Sequence, residues 1–263
     1  MKEKINIIDV GSVGGLGLPW KRHPENVGFT LSFDPFEKLI ITDNSLKLQT
    51  AIWNCEGDLP FYIYSGLNHT GSSLLKQNYK WVEENFERIK HDGDPKLNNT
   101  WFERSQLVET RKLNVRTLDS VLSSLYAEYG IKIKFDFLKS DTQSGEYPIL
   151  EGADNFLREA IALQLELYRY PLYENMVLKD DVIEYLTNKG FYVAGKLAYT
   201  GSFLSQADYL FIRKNIGGGA REKANLIKRF YQVNKSGNIL IKPTIIERII
   251  EKTESMYKKY FCR

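Results

Sequence analysis

Residues 5–17 read Ile-Asn-Ile-Ile-Asp-Val-Gly-Ser-Val-Gly-Gly-Leu-Gly, and this stretch decides the fold that we expect. Its first six residues are mostly apolar and rich in β-branched side chains, which predicts a buried strand. The glycines that follow let the backbone turn sharply and approach a ligand without a Cβ in the way. In an open α/β sheet, such a turn places the ligand beyond the strand's carboxyl end. A glycine-rich loop without a ligand is the alternative interpretation.

A second strand-like run, residues 28–33, ends in Asp34. A carboxylate at this place in a nucleotide-binding sheet holds the hydroxyls of a ribose. The simpler interpretation is that Asp34 starts a turn before Pro35. Taken together, the glycine turn and this acid favour a cofactor that contains ribose.

The composition is that of an ordinary globular protein, because 43% of the 263 residues are hydrophobic. This length accommodates one large α/β domain with or without an appendage. No apolar stretch approaches the length that crosses a bilayer, and the first strand begins too early for a signal peptide. Cys55 and Cys262 form neither a disulfide framework nor a zinc motif. We therefore expect a cytoplasmic protein without a transmembrane segment.

The net charge of +3 is unevenly distributed. Residues 214–263 contain 12 Lys and Arg against 4 Asp and Glu, and this range is called the basic extension below. We favour a solvated basic surface on terminal helices; the alternative is peripheral contact with an anionic membrane surface or substrate. The apolar stripe of the predicted helix 244–261 suits core packing or a subunit contact in a homo-oligomer. We expect no nucleic-acid partner.

Strand and helix patterns alternate along the chain, which predicts a mostly parallel sheet with helices on both faces. The further predicted strands are residues 46–53, 61–64, 107–115, 134–141, 160–167, 191–195 and 209–213. The predicted helices are residues 81–89, a helix from 117 onward, 145–159, 179–189, 220–233 and 244–261. Residues 79–106 interrupt the alternation. We predict that they form an insertion over the site, and the alternative is a surface excursion that packs its own aromatic side chains.

Four stretches, in this order and spacing, resemble the FkbM-type methyltransferase family. They are residues 8–15 (beginning Ile-Asp-Val-Gly-Ser), Phe33-Asp34-Pro35, Val115-Arg116-Thr117-Leu118-Asp119, and residues 139–153 (Lys-Ser-Asp-Thr-Gln-Ser-Gly-Glu, then Ile-Leu-Glu-Gly-Ala at 149–153). The likeness covers roughly residues 5–195 and leaves out the basic extension. The chain departs from the family at Val13, where Asn is usual, and at residues 142–145, where Val-Glu-Gly-Ala is usual. Gln143 therefore removes a carboxylate.

The resemblance implies a Rossmann-like class I methyltransferase fold with a mostly parallel seven-stranded sheet and one antiparallel edge strand. It implies S-adenosylmethionine as the cofactor and O-methylation of a hydroxyl on a saccharide or related natural product, with surface polysaccharide biosynthesis as one setting. The small-molecule or glycan hydroxyl acceptor is the partner we expect. The methyltransferase domain would occupy residues 1–213, followed by the basic extension as a helical addition.

The cofactor residues follow from the same resemblance. Gly11, Ser12 and Gly15 should lie against the methionine part of S-adenosylmethionine, and Asp9 should anchor that loop or the amino group. Asp34 should hold the ribose hydroxyls. Asn54, the polar residue after the third strand, is a weaker candidate for the adenine.

Three residues are candidates for catalysis, each with a plainer alternative. Asp141 ends a central strand where ligands collect and is our first choice to face the methyl group and the acceptor; it could instead anchor its loop. His69 is the neutral base candidate among three histidines, although a lone histidine is often a surface residue. Glu166 ends the next strand and could bind acceptor hydroxyls or be a buried, paired acid. Three tyrosines nearby could stack on a sugar ring or simply pack: Tyr168, Tyr170 and Tyr173.

We assign no metal ligand, although Asp141, Glu146 and Glu166 are carboxylates that suit magnesium. Two other functions remain open. One is a nicotinamide-dependent oxidoreductase on a similar sheet, which the glycine spacing disfavours because Ser12 and Val13 separate Gly11 from Gly14. The other is a non-enzymatic module that docks a partner or membrane through the basic extension.

Overall fold

The computed structural model describes residues 3–11 and 14–241. The predicted helix 244–261, Cys262 and the cofactor candidate Ser12 lie outside the described residues. Within them, the strands in chain order are β1 (Ile5–Val10), β2 (Val27–Phe33), β3 (Ile40–Thr42), β4 (Ser45–Leu48), β5 (Ala51–Ile52), β6 (Gly57–Tyr64), β7 (Leu107–Arg116), β8 (Phe137–Ser140), β9 (Ala162–Tyr168), β10 (Phe191–Lys196) and β11 (Gln206–Arg213). The helices are α1 (Tyr79–Ile89), α2 (Pro95–Asn99), α3 (Trp101–Arg104), α4 (Leu118–Tyr129), α5 (Glu146–Glu151), α6 (Asp154–Glu159), α7 (Lys179–Asn188) and α8 (Gly218–Phe230).

The main sheet is mixed and has eight strands in the order β10-β11-β9-β8-β1-β2-β4-β3. The prediction of seven strands with one antiparallel edge strand was therefore wrong in two respects. The antiparallel strand β11 lies inside the edge, between β9 and β10, and pairs antiparallel with both. The extra strand β3 closes the other edge antiparallel to β4. The central pairs remain parallel, as predicted, from β9 through β8, β1 and β2 to β4.

A second, three-stranded sheet in the order β5-β7-β6 stands beside the main one. The single strand predicted over residues 46–53 is in fact two strands in different sheets: β4 pairs with β2, whereas β5 pairs with β7. The Trp53 backbone N–H continues the second pairing by donating to the Arg116 carbonyl at 2.8 Å. The chain thus crosses from one sheet to the other after Leu48.

One face of the main sheet is covered by four helices, α4 to α7. Their apolar side chains, such as Val121, Leu150 and Leu186, pack in one cluster with Ile8 and Leu163 of the central strands. Every residue of β9 is buried, as a strand covered on both faces requires. This face matches the predicted α/β layering.

The opposite face is covered by α8. Ile227 and Phe230 of this helix pack with Ile7, Phe137 and Leu210 of the sheet. Between β1 and β2, residues 14–26 contain two short 3-10 turns, Trp20–Arg22 and Pro24–Asn26, and the prolines at positions 19 and 24 disfavour a longer helix there. The part of the basic extension that the structure describes is therefore a layer of the core. Within the described ranges, no helix is long and apolar enough to cross a membrane.

The predicted helix over residues 145–159 is divided into α5 and α6 at Gly152. A Cβ at Gly152 would lie 2.2 Å from the Trp53 carbonyl oxygen, so this glycine allows the loop after β5 to pack closely. The Asp119 carboxylate then accepts the backbone N–H groups of Asn155 and Phe156 at 2.7 and 3.0 Å. These bonds satisfy the first free N–H groups of α6. The break is imposed by contacts distant in sequence.

Candidate active site

Ionisable side chains collect on the α8-covered face of the sheet, toward the carboxyl ends of β1, β8 and β9. The Lys139 amine donates to Asp9 Oδ1 at 3.2 Å across the paired strands. Asp9 is fully buried, and 16% of the Lys139 side chain is exposed. Burial alone would lower the pKa of Lys139, but the carboxylates of Asp9, Asp141 and Asp208 outweigh it and raise that pKa. Lys139 thus offsets several negative charges at once.

The second carboxylate oxygen of Asp9, Oδ2, is buried without a hydrogen-bond partner among the described residues. Leaving a buried acceptor unpaired costs about 1–3 kcal/mol, and more for a charged group. Such an atom at the end of a central strand is suited to a donor group of a ligand. Among the predicted site residues that the structure describes, Asp9 is therefore the one with a buried acceptor atom that a ligand could pair.

The glycine turn after β1 contacts the loop after β8. Gly11 has a φ of +80°, and a Cβ there would lie 2.1 Å from the Asp141 carbonyl oxygen. Glycine at position 11 therefore allows both the left-handed turn and the close contact between the two loops. Gly15 has a φ of +87° and open space where its Cβ would lie. Only Gly15 of these two leaves room on its side-chain face.

Glu166 lies at the centre of a hydrogen-bond network. Its Oε1 accepts from Gln206 Nε2 at 2.6 Å, and its Oε2 accepts from Gln143 Nε2 at 3.1 Å. The Gln143 carbonyl oxygen, Oε1, accepts from the hydroxyls of Tyr168 and Tyr173 at 3.1 and 3.2 Å. Because one end of the Gln143 amide meets a carboxylate and the other meets two hydroxyls, its orientation is fixed.

Two carboxyl groups near this network have raised pKa values. Burial raises the pKa of Glu166 well above its ordinary value, and the negative charges of Asp141 and Asp208 raise it further. Burial also raises the pKa of Glu146 to about 7, against the opposing effect of the Thr142 backbone N–H. Perturbed carboxyls in a cluster are typical of functional sites.

The loop after β8 holds Gln143 in a strained backbone conformation. Gln143 and Ser144 have φ values of 56° and 78°, in the left-handed region that non-glycine residues rarely adopt. Glu146 Oε1 accepts from the Thr142 backbone N–H at 2.8 Å and from its hydroxyl at 3.0 Å. The Ser73 hydroxyl donates to the backbone carbonyl of Gln143 at 2.7 Å. Strain of this kind persists where the surroundings over-determine it, often at functional sites.

A cavity of about 240 Å³ opens beside this network. Gln143, Tyr168 and Gln206 of the network line it. The other lining residues are Thr70, Gly71, Gln77, Leu97, Trp101, Arg104, Ser105, Leu172, Tyr173, Gly201, Ser202 and Ser205. Residues 97–105 belong to the segment predicted to be an insertion over the site, and they supply part of the wall. The aromatic residues of that segment pack in a cluster with Tyr168, Tyr173 and Phe203.

Asp141 and Glu166, two of the predicted catalytic residues, lie close enough for their charges to interact. The Asp141 side chain is half-buried and makes no hydrogen bond to the described residues, while its backbone N–H donates to the Val10 carbonyl at 3.1 Å. Neither Asp141 nor Glu166 lines the cavity, but the hydrogen-bond partners of Glu166 do. The Asp141 side chain is thus available to a ligand. Glu166 instead fixes the positions of Gln143 and Gln206, which face the cavity.

His69 lies apart from this group. Its Nδ1 is 3.1 Å from the Tyr64 carbonyl oxygen, and its side chain is exposed on a short 3-10 turn. The next two residues, Thr70 and Gly71, line the cavity, but His69 does not. Its role as a base stays a prediction.

The predicted ribose and adenine residues, Asp34 and Asn54, both make hydrogen bonds within the protein. Asp34 is buried, and its Oδ1 accepts the backbone N–H groups of Phe36 and Glu37 at 2.8 and 3.0 Å. Burial raises the pKa of Asp34, although these two hydrogen bonds act to lower it. Asn54 is exposed and donates to Glu151 Oε2 at 2.9 Å. Asp34 therefore does start a turn, and both cofactor roles stay predictions.

The tyrosines near β9 divide into two groups. Tyr168 and Tyr173 line the cavity with their rings edge to face, 5.9 Å apart. Tyr170 points elsewhere: its hydroxyl donates to Asp92 at 3.0 Å, and its ring packs near Trp81. In residues 3–11 and 14–241, no group of three or more His, Cys, Asp or Glu side chains could hold a metal ion.

Comparison with known proteins identifies the family. The model of the Methyltransferase FkbM domain matches residues 26–193, which is more than half of the chain. The chain belongs to the FkbM methyltransferase domain family. The match begins just before β2, so β1 and the glycine turn, which we included in the resemblance, lie outside the matched range. A search of curated protein sequences finds no significant match.

Two solved structures are similar to this FkbM domain. One is methyltransferase FkbM from Methylobacillus flagellatus KT, with 12% identity and a TM-score of 0.44 over 80% of this chain. This chain spans only 44% of that protein's length. The other is magnesium protoporphyrin IX methyltransferase from Synechocystis PCC 6803 with bound S-adenosylmethionine, with 13% identity and a TM-score of 0.36 over 81% of this chain and 71% of that one.

The residues of this FkbM domain fit S-adenosylmethionine in two respects. The unpartnered Asp9 Oδ2 can accept a hydrogen bond from a ligand amino group. The open space at Gly15 leaves the turn accessible on that side. In addition, Asp141 and Glu166 form no ion pair within the described ranges, so a cationic ligand would offset their charge.

Several residues of the candidate site were not singled out from the sequence. Lys139 could have been predicted, because it lies two residues from both Phe137 and Asp141 and therefore shares a strand face with them. Gln206 could not, because only the antiparallel pairing of β11 with β9 brings it to Glu166. Arg104 and Gln77 reach the cavity from segments outside the main sheet, where no periodic pattern marks them.

Proposed function

We propose that the chain is an S-adenosylmethionine-dependent O-methyltransferase that methylates a hydroxyl of a saccharide or related natural product. The observation that carries this proposal is the excess of carboxylates at the carboxyl ends of β1, β8 and β9. The charges of Asp141 and Asp208 act on Glu166, and those of Asp9, Asp141 and Asp208 act on Lys139. Lys139 is the one cation that forms an ion pair with this group in the described part of the chain.

This charge distribution suits a cationic ligand. S-adenosylmethionine carries a sulfonium and an ammonium group, and these positive charges would balance the carboxylates in place of bound protons. A buried carboxylate without a cationic partner otherwise takes up a proton, which is the direction of the pKa shifts at Glu166 and Asp208. Asp9, Gly11, Gly15 and Asp34 are the described residues that we assign to the cofactor.

The cavity beside Gln143 is the place we assign to the acceptor. When bound, the cofactor supplies an already activated methyl group, so the protein mainly has to align the acceptor oxygen with it. Gln143 and Gln206 offer amide groups for acceptor hydroxyls, and Glu166 positions both amides through its hydrogen bonds. Carbohydrate hydroxyls are the class of group that such amides and the tyrosine hydroxyls recognise.

The acceptor hydroxyl must lose its proton during attack, which calls for a nearby base. We assign this role to Asp141, whose side chain makes no hydrogen bond to the described residues and lies near Glu166. His69 is the alternative base, and it would have to leave the Tyr64 carbonyl to act. Asp141→Asn should therefore abolish methyl transfer, whereas His69→Gln should reduce it only if His69 is the base.

Isothermal titration calorimetry with S-adenosylmethionine and S-adenosylhomocysteine tests the cofactor. We expect micromolar affinity for both, and we expect Asp141→Asn to weaken binding of the sulfonium compound roughly tenfold more than that of the neutral thioether, because only the former carries the charge. Asp181→Asn, on the exposed start of α7, is the control with the same charge change. Binding of NAD in place of both ligands would support the oxidoreductase instead.

Turnover is tested by screening nucleotide sugars and glycans with a labelled methyl donor. Precursors of surface polysaccharides are the first acceptors to try. Cofactor binding without methyl transfer to any acceptor in the screen would count against the O-methyltransferase proposal and favour the non-enzymatic module.

A further inference from the structure

The cavity is small, and three segments complete its walls around the network of Gln143, Tyr168 and Tyr173. The loop after β6 contributes Thr70 and Gly71, α2 and α3 contribute Leu97, Trp101 and Arg104, and residues 201–206 close the far side. Its volume of about 240 Å³ lies below the roughly 300–1,000 Å³ of pockets that hold drug-sized ligands. It therefore suits one ring-sized group.

The lining residues favour a ligand ring that carries polar groups. Most of the side chains that line the cavity carry a hydroxyl or an amide, and Leu97, Trp101 and Leu172 supply apolar surface. Two lining residues hold buried polar atoms with no hydrogen-bond partner among the described residues: Gln77 Oε1 and Ser205 Oγ. Both residues are more than nine-tenths buried. Unpaired buried polar groups are rare in folded proteins, and a ligand with several hydroxyls would satisfy them.

Arg104 is the charged residue of this lining. Its Nη2 donates to the Leu97 carbonyl at 2.6 Å and to the Ser202 hydroxyl at 2.9 Å, and its Nε donates to the Thr100 hydroxyl at 3.2 Å. All three partners are neutral, and Arg104 forms no ion pair with any carboxylate in residues 3–11 and 14–241. Its Nη1 takes part in none of these bonds.

This arrangement fixes a guanidinium group at the wall of a polar cavity and leaves its charge unbalanced. A guanidinium stays protonated in proteins and binds carboxylates and phosphates through parallel N–H groups. Arg169, which packs near the same aromatic cluster, is already paired with Asp92 at 2.9 Å. Arg104 thus differs from it in lacking an anionic partner.

We propose that the cavity binds the acceptor as a sugar ring bearing a carboxylate or phosphate, and that Arg104 recognises this anionic group. The assignment of the ligand as a methyl acceptor rests on the proposed function. The binding preference for an anionic sugar stands on the cavity alone.

The test measures binding of three probes to the full chain by ligand-observed NMR: glucuronate, glucose 6-phosphate and glucose. We expect at least one anionic probe to bind roughly tenfold or more tightly than glucose, the size of effect that hydrogen bonds to a charged group produce. Glucuronate and glucose 6-phosphate distinguish a carboxylate from a phosphate. Equal binding of all three probes, or binding of none, would overturn the proposal without any variant.

Arg104→Gln should then abolish the preference for the anionic probe, and Arg104→Lys should retain part of it. Arg88→Gln is the matched control, because Arg88 is an exposed residue of α1 in the same segment and does not line the cavity. Retention of the full preference in Arg104→Gln, or its loss in Arg88→Gln, would contradict the role of Arg104.

Binding of S-adenosylhomocysteine to the same preparations separates this proposal from the proposed function. Loss of sugar preference with unchanged S-adenosylhomocysteine binding would support Arg104 as an acceptor-recognition residue. An anionic-sugar preference in a protein that binds neither cofactor form would leave the cavity assignment standing and contradict the methyltransferase proposal.

Discussion

The buried carboxyl of Glu146 allows a sharp test of the site's electrostatics. Glu146 is 3% exposed and uses one oxygen, Oε1, to accept both hydrogen bonds from Thr142. Replacement by glutamine keeps an acceptor oxygen in the same place and removes the negative charge. Glu146→Gln therefore isolates the effect of charge burial while leaving the loop after β8 supported.

The magnitude and its sign follow from the pKa of about 7, against an ordinary value of 4.5. Because the folded-state pKa is raised, the folded protein binds more protons than the unfolded chain between these two values, so its stability falls as the pH rises through this window. Each pKa unit corresponds to about 1.36 kcal/mol. The charge on Glu146 thus costs about 3 kcal/mol above the window, and nothing below it.

Urea denaturation at pH 4.5 and pH 8 measures this effect on the free energy of unfolding. At pH 4.5 we expect Glu146→Gln and wild type to have similar free energies of unfolding. At pH 8 we expect the free energy of unfolding of Glu146→Gln to exceed that of wild type by about 3 kcal/mol. Glu184→Gln, on the exposed face of α7, should change stability by less than about 0.5 kcal/mol at both. A Glu146→Gln variant that is no more stable than wild type at pH 8 would refute the reasoning.

Two further variants test the packing around the site. Lys139→Met leaves the Asp9 carboxylate buried without its 3.2 Å ion pair and should lower the free energy of unfolding by about 3–5 kcal/mol; adding Asp9→Asn should restore most of the loss, and equal stability of the single and double variants would contradict the pairing. Gly152→Ala places a Cβ 2.2 Å from the Trp53 carbonyl and should destabilise by about 1–3 kcal/mol. Gly17→Ala, where nothing lies within 4 Å, is its control in thermal denaturation, and similar losses for both would exclude the steric explanation.

The short apolar runs of the central strands were sufficient to predict the core of the sheet. β1, β2, β8 and β9 lie where the sequence indicates, because each is a short apolar run with turn residues after it. The edge could not be predicted in the same way. β3 consists of three β-branched residues that are all exposed, and it is too short to show the alternation that distinguishes a buried face from an exposed one. Its pairing with β4 follows a tight turn.

Two of the fold errors have one cause, which is contact between segments far apart in sequence. The alternation over residues 46–48 stops at Gln49 and Thr50 and an apolar run follows, but the prediction of one strand extended across this break. The pattern does not indicate which sheet the second half joins. The choice is made by Val115, which pairs with Ala51. Similarly, residues 145–159 have a helical pattern throughout, and the break at Gly152 arises from the approach of Trp53. Local pattern cannot reveal either contact.

The candidate site shows the same division. Asp9, Asp141 and Glu166 could be chosen because the carboxyl ends of parallel strands meet at one edge. Their chemical environment could not, since it depends on Gln206 from an antiparallel strand and on Lys139. Gln143 was recognised from the sequence as the loss of a carboxylate. In the structure its amide joins Glu166 to the tyrosine hydroxyls, a bridge that a second carboxylate beside Glu166 would make less favourable.

The same carboxylates link stability and the proposed function. Asp9 and Glu166 are buried more deeply than charged groups normally are, and their burial raises the free energy of the folded chain unless protons or an opposite charge compensate it. Protonation compensates it in part, as the raised pKa of Glu166 indicates. On the proposed function, a sulfonium and an ammonium group would compensate it without protonation, so the unfavourable electrostatics of the free protein become binding free energy for a cationic cofactor. A neutral or anionic nucleotide at this edge would gain nothing from that arrangement.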